Sequence, residues 1–281
     1  ISSAVGPYAV DKGLVKTVEP FTVVRIYNTN TRKMIYAKVP VKKGKFFPDG
    51  DYAIDGCPGT GARIELSFMD PGGATTGRLL PTGNAVDELT LDTGEKYTVT
   101  IVDAGNPTAF VRAEELNLRG DELPAGLNQD ERVWTKLEAI RTKVGQLMGI
   151  QVSQSIPKIS FIAPARDYRT ITGAKIEKGT VSMLARVMAM GKMHKTFAIT
   201  AGIPAAIGAV IPDSVVNRVV FGGSPAPAKN EVVIGHPSGV MDVKVEATFG
   251  KSGPHVVSCT VGRTARRIMD GRVYVSRKIY S

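Results

Sequence analysis

Cysteine is almost missing from this sequence: Cys57 and Cys259 are the only two among 281 residues. So few exclude a disulfide-stapled scaffold, and their wide separation excludes a clustered thiolate zinc site. A reducing cytoplasm is the expected setting. Long apolar runs are also lacking. The longest, near residues 197–216, is interrupted by Pro204 and Pro212 and falls short of the roughly 18 uninterrupted residues that a membrane span requires. No charged-then-apolar leader is present, and a chain that opens on Ile1 rather than Met is expected to have its natural start further upstream. Aromatic residues make up 6%. They do not interleave with the basic clusters Lys42/Lys43/Lys45, Arg263/Arg266/Arg267 and Arg277/Lys278, so the stacking surface of a single-strand nucleic-acid binder is missing. The formal charge of +10 then reads as a solvated surface and leaves an anionic small molecule as the fitting partner. Met183, Met188, Met190 and Met193 have no histidine or cysteine at ligand spacing, which makes them core filler and not a soft-metal box.

What is present is an internal echo. Ile1-Ser2-Ser3-Ala4-Val5-Gly6 aligns without a gap on Ile203-Pro204-Ala205-Ala206-Ile207-Gly208. Gly56-Cys57-Pro58-Gly59 before ARIEL likewise matches Gly235-His236-Pro237-Ser238 before MDVKV, and Gly77-Arg78 and Gly262-Arg263 follow in the same order. Three landmarks in one order indicate a duplicated fold. The chain has room for two lobes, and its 43% hydrophobic content supports a packed core.

In the first half, FTVVRIYNT, MIYAKVPV, DYAIDG, ARIELSF and YTVTIVDAG read as strands separated by turns such as Pro48-Asp49-Gly50. That pattern predicts a mainly antiparallel sheet beside an opening helix that stops at Gly13. From Asn128 the spacing of Val133, Leu137, Ile140, Val144 and Leu147 predicts a helix, with Asn128 and Glu131 as its capping box and Trp134 as core. Further on, KISFIAPA reads as a strand, SMLARVMAM as a helix ended by Gly191, and the stretch Phe197 to Val216 as holding a helix that starts near Gly202. EVVIG, MDVKVEATF, HVVSCTVG and RVYVS read as closing strands.

Helices that begin with small residues expose unsatisfied backbone N–H groups and a partial positive charge, so both echoed helices are candidate anion sites. The candidate binding residues are Ser2 and Ser3 on the first, and Thr200, Ala201 and Gly202 on the second. Ser238 joins them, and a resemblance to a known family adds the Gly105-Asn106 turn. Cys57, His194 and His236 are weighed as acid–base groups, but each has a structural reading as turn or core, and Cys259 reads as core. No catalytic residue is assigned.

Asp103-Ala104-Gly105-Asn106-Pro107-Thr108, with the paired helices, resembles the diaminopimelate epimerase superfamily. LLPTGN (79–84), APARDY (163–168), GKMH (191–194), AAIGAVIPDSVVN (205–217), GHPSG (235–239) and RTARRIMDG (263–271) resemble one branch of it, the 2-methylaconitate cis-trans isomerase or PrpF family with its methylitaconate and oxalomesaconate relatives. The resemblance implies an α+β fold of two similar lobes, each a mainly antiparallel sheet wrapped around a central helix, with the first lobe incomplete here. The expected division is 1–113 for the first lobe, 114–262 for the second and 263–281 for a return to the first.

The implied function is a cofactor-independent isomerase that shifts a proton and a double bond on an unsaturated tricarboxylate. The implied partners are that small acid and, as assembly, a homodimer, with neither membrane nor nucleic acid. In the family a catalytic lysine and an Asn-Cys-Gly-Asn turn precede the first helix, which would put them upstream of Ile1. On that reading these residues alone bind the acid without turning it over. Thr200 stands where a two-base epimerase has its second cysteine, and threonine has no usefully low pKa. The contrasting reading is a non-catalytic protein that binds anions or nucleic acid through the basic clusters.

Overall fold

The computed structural model describes residues 2–227, 229–250 and 253–275. Helix α1 (Ser2–Asp11) stops as predicted: Gly13, at φ +67°, turns left-handed and its N–H caps the Val10 carbonyl. Ile1, the predicted first residue of that helix, lies outside the described residues. Strands β1 (Phe21–Asn28) and β2 (Lys33–Lys42) form an antiparallel hairpin. The short β3 (Lys45–Phe46), β4 (Tyr52–Ala53) and β5 (Thr60–Gly61) lead into β6 (Ile64–Met69), β7 (Asp87–Thr90), β8 (Lys96–Ala104) and β9 (Asn106–Arg112). Then follow α2 (Pro124–Leu127), α3 (Glu131–Leu147), β10 (Lys158–Pro164), β11 (Tyr168–Arg169), β12 (Lys175–Ile176), β13 (Met183–Ala189) and β14 (Lys192–Met193). The chain continues through α4 (Ile199–Val210), α5 (Val215–Phe221), β15 (Lys229–His236), β16 (Gly239–Gly250) and β17 (Gly253–Arg263).

Among the described residues one sheet runs through both halves in the order β1, β2, β6, β17, β16, β15, β13, β10, β9, β8, β7. Its pairings are antiparallel except β9 with β10 and β13 with β15. This is the mainly antiparallel α+β architecture expected. Helix α4 is buried on every side from Ala201 to Val210, so it has to be enclosed. It packs on β8, β9, β15, β16 and β17, while α1 packs on β1, β2, β3 and β6. Ala9 and Val10 of α1 share one continuous core with Ile203 and Ile207 of α4, and with Ala37, Ile64, Ile234 and Val261 of the sheet. The opposite face of the second half is covered by α3, whose Leu137, Ile140 and Val144 meet Ile159, Phe161 and Leu184.

Three local expectations fail. SMLARVMAM forms strand β13, not a helix. Met183, Ala185 and Val187 enter the core around α4, and Leu184 and Met188 enter the core under α3, so no polar alternation marks it as a strand. The cap of α3 is Asp130, whose carboxylate accepts from the N–H groups of Arg132 and Val133; Asn128 instead accepts from the Met193 N–H. Residues 264–275 form no strand, with Val273 and Tyr274 almost wholly exposed, and Ser276 lies outside the described residues. In the same stretch Arg267 lies 3.7 Å from the Asp11 carboxylate at the end of α1. Among the described residues no single helix is long and apolar enough to cross a membrane.

Candidate functional site

The first turn of α4 has a companion that the sequence did not announce. Lys158 opens β10, and alternation along that strand sends Lys158, Ser160 and Ile162 to the α4 side while Ile159 and Phe161 face α3. Lys158 is only 9% exposed, and its ammonium donates to Oγ1 of Thr200, an exposed residue in the first turn of α4. No carboxylate of the described residues lies within ion-pair distance of it. Burial alone holds its pKa below the ordinary lysine value.

The Gly105-Asn106 turn lies at the same end of the sheet. Lys158 is paired with Thr108, whose hydroxyl donates to the Asn106 carbonyl. Thr108 is two strand steps from Asn106, a distance of about 7 Å. Gly105 at φ +78° closes the β8–β9 hairpin, with Ala104 opposite Asn106. This turn is braced by Asp103, which is fully buried. One carboxylate oxygen accepts from the N–H groups of Thr75 and Thr76, at 2.8 and 2.6 Å, and from the Thr76 hydroxyl at 2.9 Å. Its backbone accepts from Gly73 N–H and donates to the Leu79 carbonyl. Loop 73–79 is thereby fastened to β8, the hairpin partner of the strand that carries Asn106.

The sequence-predicted donors divide on inspection. Ala201 and Gly202 are buried, and both of their N–H groups are taken by the Ala198 carbonyl, at 2.8 and 2.9 Å. They are not free donors, a correction to the expected set. The amides of Ile199 and Thr200 are the ones at this helix start with no carbonyl inside the helix to bond. Ser2 and Ser3 are half-buried in the first turn of α1. No hydrogen bond among the described residues joins them to Thr200.

Ser238 serves a different contact: its hydroxyl donates to the Lys195 carbonyl at 2.6 Å. There the two echoed turns meet each other. The Val240 N–H donates to the Asp55 carboxylate at 2.6 Å, and Gly239, at φ +142°, has no room for a Cβ beside that carboxylate. Cys57 and His236, aligned in the internal echo, line one cavity of about 380 Å³ with Tyr52, Asp55, Phe197 and Arg263. His236 is 1% exposed, and burial pushes its pKa down to about 4. It is therefore neutral at physiological pH and no acid there. His194 accepts from the Thr196 N–H at 3.1 Å and shapes the approach to α4. Cys259 is fully buried, which pushes its thiol pKa up, and Trp134 packs half-buried against the core under α3. Among the described residues no group of three or more His, Cys, Asp or Glu side chains is placed to hold a metal ion.

The family model described as PrpF protein matches residues 1–276. The chain belongs to the PrpF family. This PrpF-family chain is 41% identical to 3-methylitaconate isomerase of Eubacterium barkeri, over 99% of its own length and 73% of the relative's. It is 32% identical to 2-methyl-aconitate isomerase of Shewanella oneidensis, over 99% and 72%, and 34% identical to (4E)-oxalomesaconate Delta-isomerase of a Novosphingobium species, over 98% and 71%. In three dimensions it is similar to the crystal structure of methylitaconate-delta-isomerase, with a TM-score of 0.85 and 39% identity across 99% of this chain and 72% of that one. These relatives make the PrpF-family chain an isomerase whose class of substrate is an unsaturated acid.

Two residues of the site escaped the sequence reading. Asp103 stood inside a quoted motif without a role of its own. Lys158 stood at the head of an apolar strand, and its signal was available: a lysine on the inward side of a strand otherwise free of charge.

Proposed function

We propose that the protein is a cofactor-independent isomerase that moves a proton and a double bond on an unsaturated tricarboxylate of the methylaconitate or methylitaconate kind. One observation carries the reading. A buried ammonium with no carboxylate of the described residues in ion-pair reach stands behind the exposed first turn of a core helix, beside a braced Gly-Asn turn. A buried cation without a counter-ion is unfavourable, and the positive end of a helix makes it more so, until an anion binds. A carboxylate at the first turn of α4 would receive the amides of Ile199 and Thr200 in the field of Lys158, and Asn106 would take a second polar group of the acid. These donors meet the charge that develops as a C–H bond next to a carboxylate ionises. Proton transfer of this kind needs an acid, a base and oriented dipoles, with no redox step. Ser2, Ser3 and Ser238 are proposed as flanking contacts, and the division into lobes at 1–113, 114–262 and 263–281 is proposed to set the cleft.

The test is isomerisation of 2-methylaconitate, 3-methylitaconate and oxalomesaconate by the full-length protein, followed by proton NMR with and without a metal chelator. Conversion of at least one acid, unchanged by the chelator, is expected. No conversion of any of them would overturn the reading, and loss of conversion on chelation would overturn its cofactor independence.

A further inference from the structure

We infer that Thr200 and Lys158 form a proton relay, in which the threonine hydroxyl gives a proton to the substrate carbon and the buried lysine replaces it. The inference rests on the isomerase reading above and assigns a chemical role to the side chains of the same site. Threonine by itself is a poor acid, and Thr200 alone would supply only a hydrogen bond. Its surroundings differ from those of an ordinary surface threonine. Thr200 is exposed at the start of α4, and among the described residues the one charged group that touches its hydroxyl is an ammonium more than nine-tenths buried behind it. Lys158 itself is screened from the surface, so a substrate at the helix start meets Thr200 first. Burial favours the neutral amine and so makes the ammonium a stronger acid than usual. Of the side chains gathered at this helix start and turn, Thr200, Asn106, Thr108 and Lys158, only the lysine has a titrating proton to give.

The step balances as follows. An amine or thiolate base on the other face of the substrate takes a proton from carbon, leaving an allylic carbanion delocalised into a carboxylate. Thr200 Oγ1 forms a new C–H bond with its hydrogen at the far end of the allylic system, and the double bond moves. The threonine oxygen takes a hydrogen from the Lys158 ammonium in the same event, so no free alkoxide forms. Lys158 is left as the neutral amine and regains a proton from solvent after product leaves, while the abstracting base loses its own to solvent. The amides at the helix start hold the carboxylate that carries the charge between the two transfers.

The experiment compares Thr200→Ser, Thr200→Val and Lys158→Arg in the full-length protein, with kcat and KM measured for whichever unsaturated acid the wild type isomerises. Thr200→Ser keeps the hydroxyl and is expected to retain kcat within about threefold. Thr200→Val removes the hydroxyl, and Lys158→Arg keeps the charge but places it on a guanidinium too weakly acidic to donate. Each is expected to lose about a hundredfold or more in kcat with little change in KM. In wild type kcat should fall at high pH as Lys158 loses its proton, and in Lys158→Arg the remaining activity should lack that fall. Thermal melting and trans-aconitate binding show whether each variant is folded with its site intact. Wild-type kcat in Thr200→Val would overturn the relay, and so would Lys158→Arg raising KM while sparing kcat, since Lys158 would then be an anchor alone. A wild type inactive on every unsaturated acid would instead remove the isomerase reading, and the relay with it.

Discussion

Two buried cations stand on adjacent strands, one on each face of the sheet, and their surroundings are opposite. Arg186, on β13, is fully buried with Phe161 of β10 as its partner in the register. Its guanidinium donates to the carbonyls of Glu122 at 2.8 Å, Ala185 at 2.9 Å and Gly235 at 3.3 Å, and it lies 5.7 Å from the centre of the Tyr168 ring. Lys158, three residues earlier than Phe161 on β10, has a threonine hydroxyl and, among the described residues, no carboxylate. The arginine is surrounded by fixed backbone acceptors and ties α2's approach, β13 and β15 together. The lysine has donors to spare at a helix start. A buried cation held by several backbone acceptors, even with one nitrogen, Nη2, left without a partner, is a structural joint; one held by a single hydroxyl is a place for a ligand.

Substituting both cations separates these roles. Arg186→Met should leave three buried carbonyls without donors and cost about 3–5 kcal/mol of stability, read as a lowered urea midpoint. Lys158→Met should behave the other way. Removing an unpaired buried ammonium should leave the midpoint unchanged or raise it by about 1 kcal/mol, while activity falls at least about a hundredfold. If Lys158→Met were as unstable as Arg186→Met, the two cations would be the same kind of joint.

A third buried ionisable group sharpens the contrast through pH. His236 is held neutral, with a folded pKa of about 4 against the ordinary 6.5. Between those values the unfolded chain binds the proton and the folded chain does not, so stability must fall as pH drops through that window. The loss should reach up to about 3 kcal/mol near pH 4. Urea titrations at a series of pH values check it, and His236→Gln should flatten the fall by that amount.

The smallest effect belongs to an ordinary polar contact. Ser214 caps α5 by accepting from the Asn217 N–H at 2.9 Å and donates to the Gly208 carbonyl at 2.6 Å. Ser214→Ala should cost about 1–2 kcal/mol, with kcat unchanged. A kcat change in this variant would mean that α4 transmits strain to its first turn.

How much of this was legible in the sequence depended on where a residue's partners come from. The apolar all-round helix α4 and the two-sided hairpin β1–β2 could be read, because their signals are local periodicities. Strand β13 could not: it is covered on both faces, and its Met, Leu and Ala content carries no period of two. The α3 cap was misplaced by two residues because Asn128 is recruited by Met193, 65 positions away. The α4 start was found from small residues and the Gly105-Asn106 turn from the family resemblance. The choice among their amides was not, because whether Ala201 or Gly202 is free depends on how tightly the first turn winds onto Ala198.

The pairing of β6 with β17 sets Ile64 opposite Arg263 and Met69 opposite Ser258. During synthesis, the backbone groups along one side of β6 must therefore wait until nearly two hundred further residues have been made. Throughout that interval a strand carrying Ile64 and Leu66 has an unpaired edge able to add a strand from another chain. Contacts of such long range also make for slow closure. The closing strand is thus a late arrival in the life of the molecule, and the window before it arrives is when that edge of β6 is open to its neighbours.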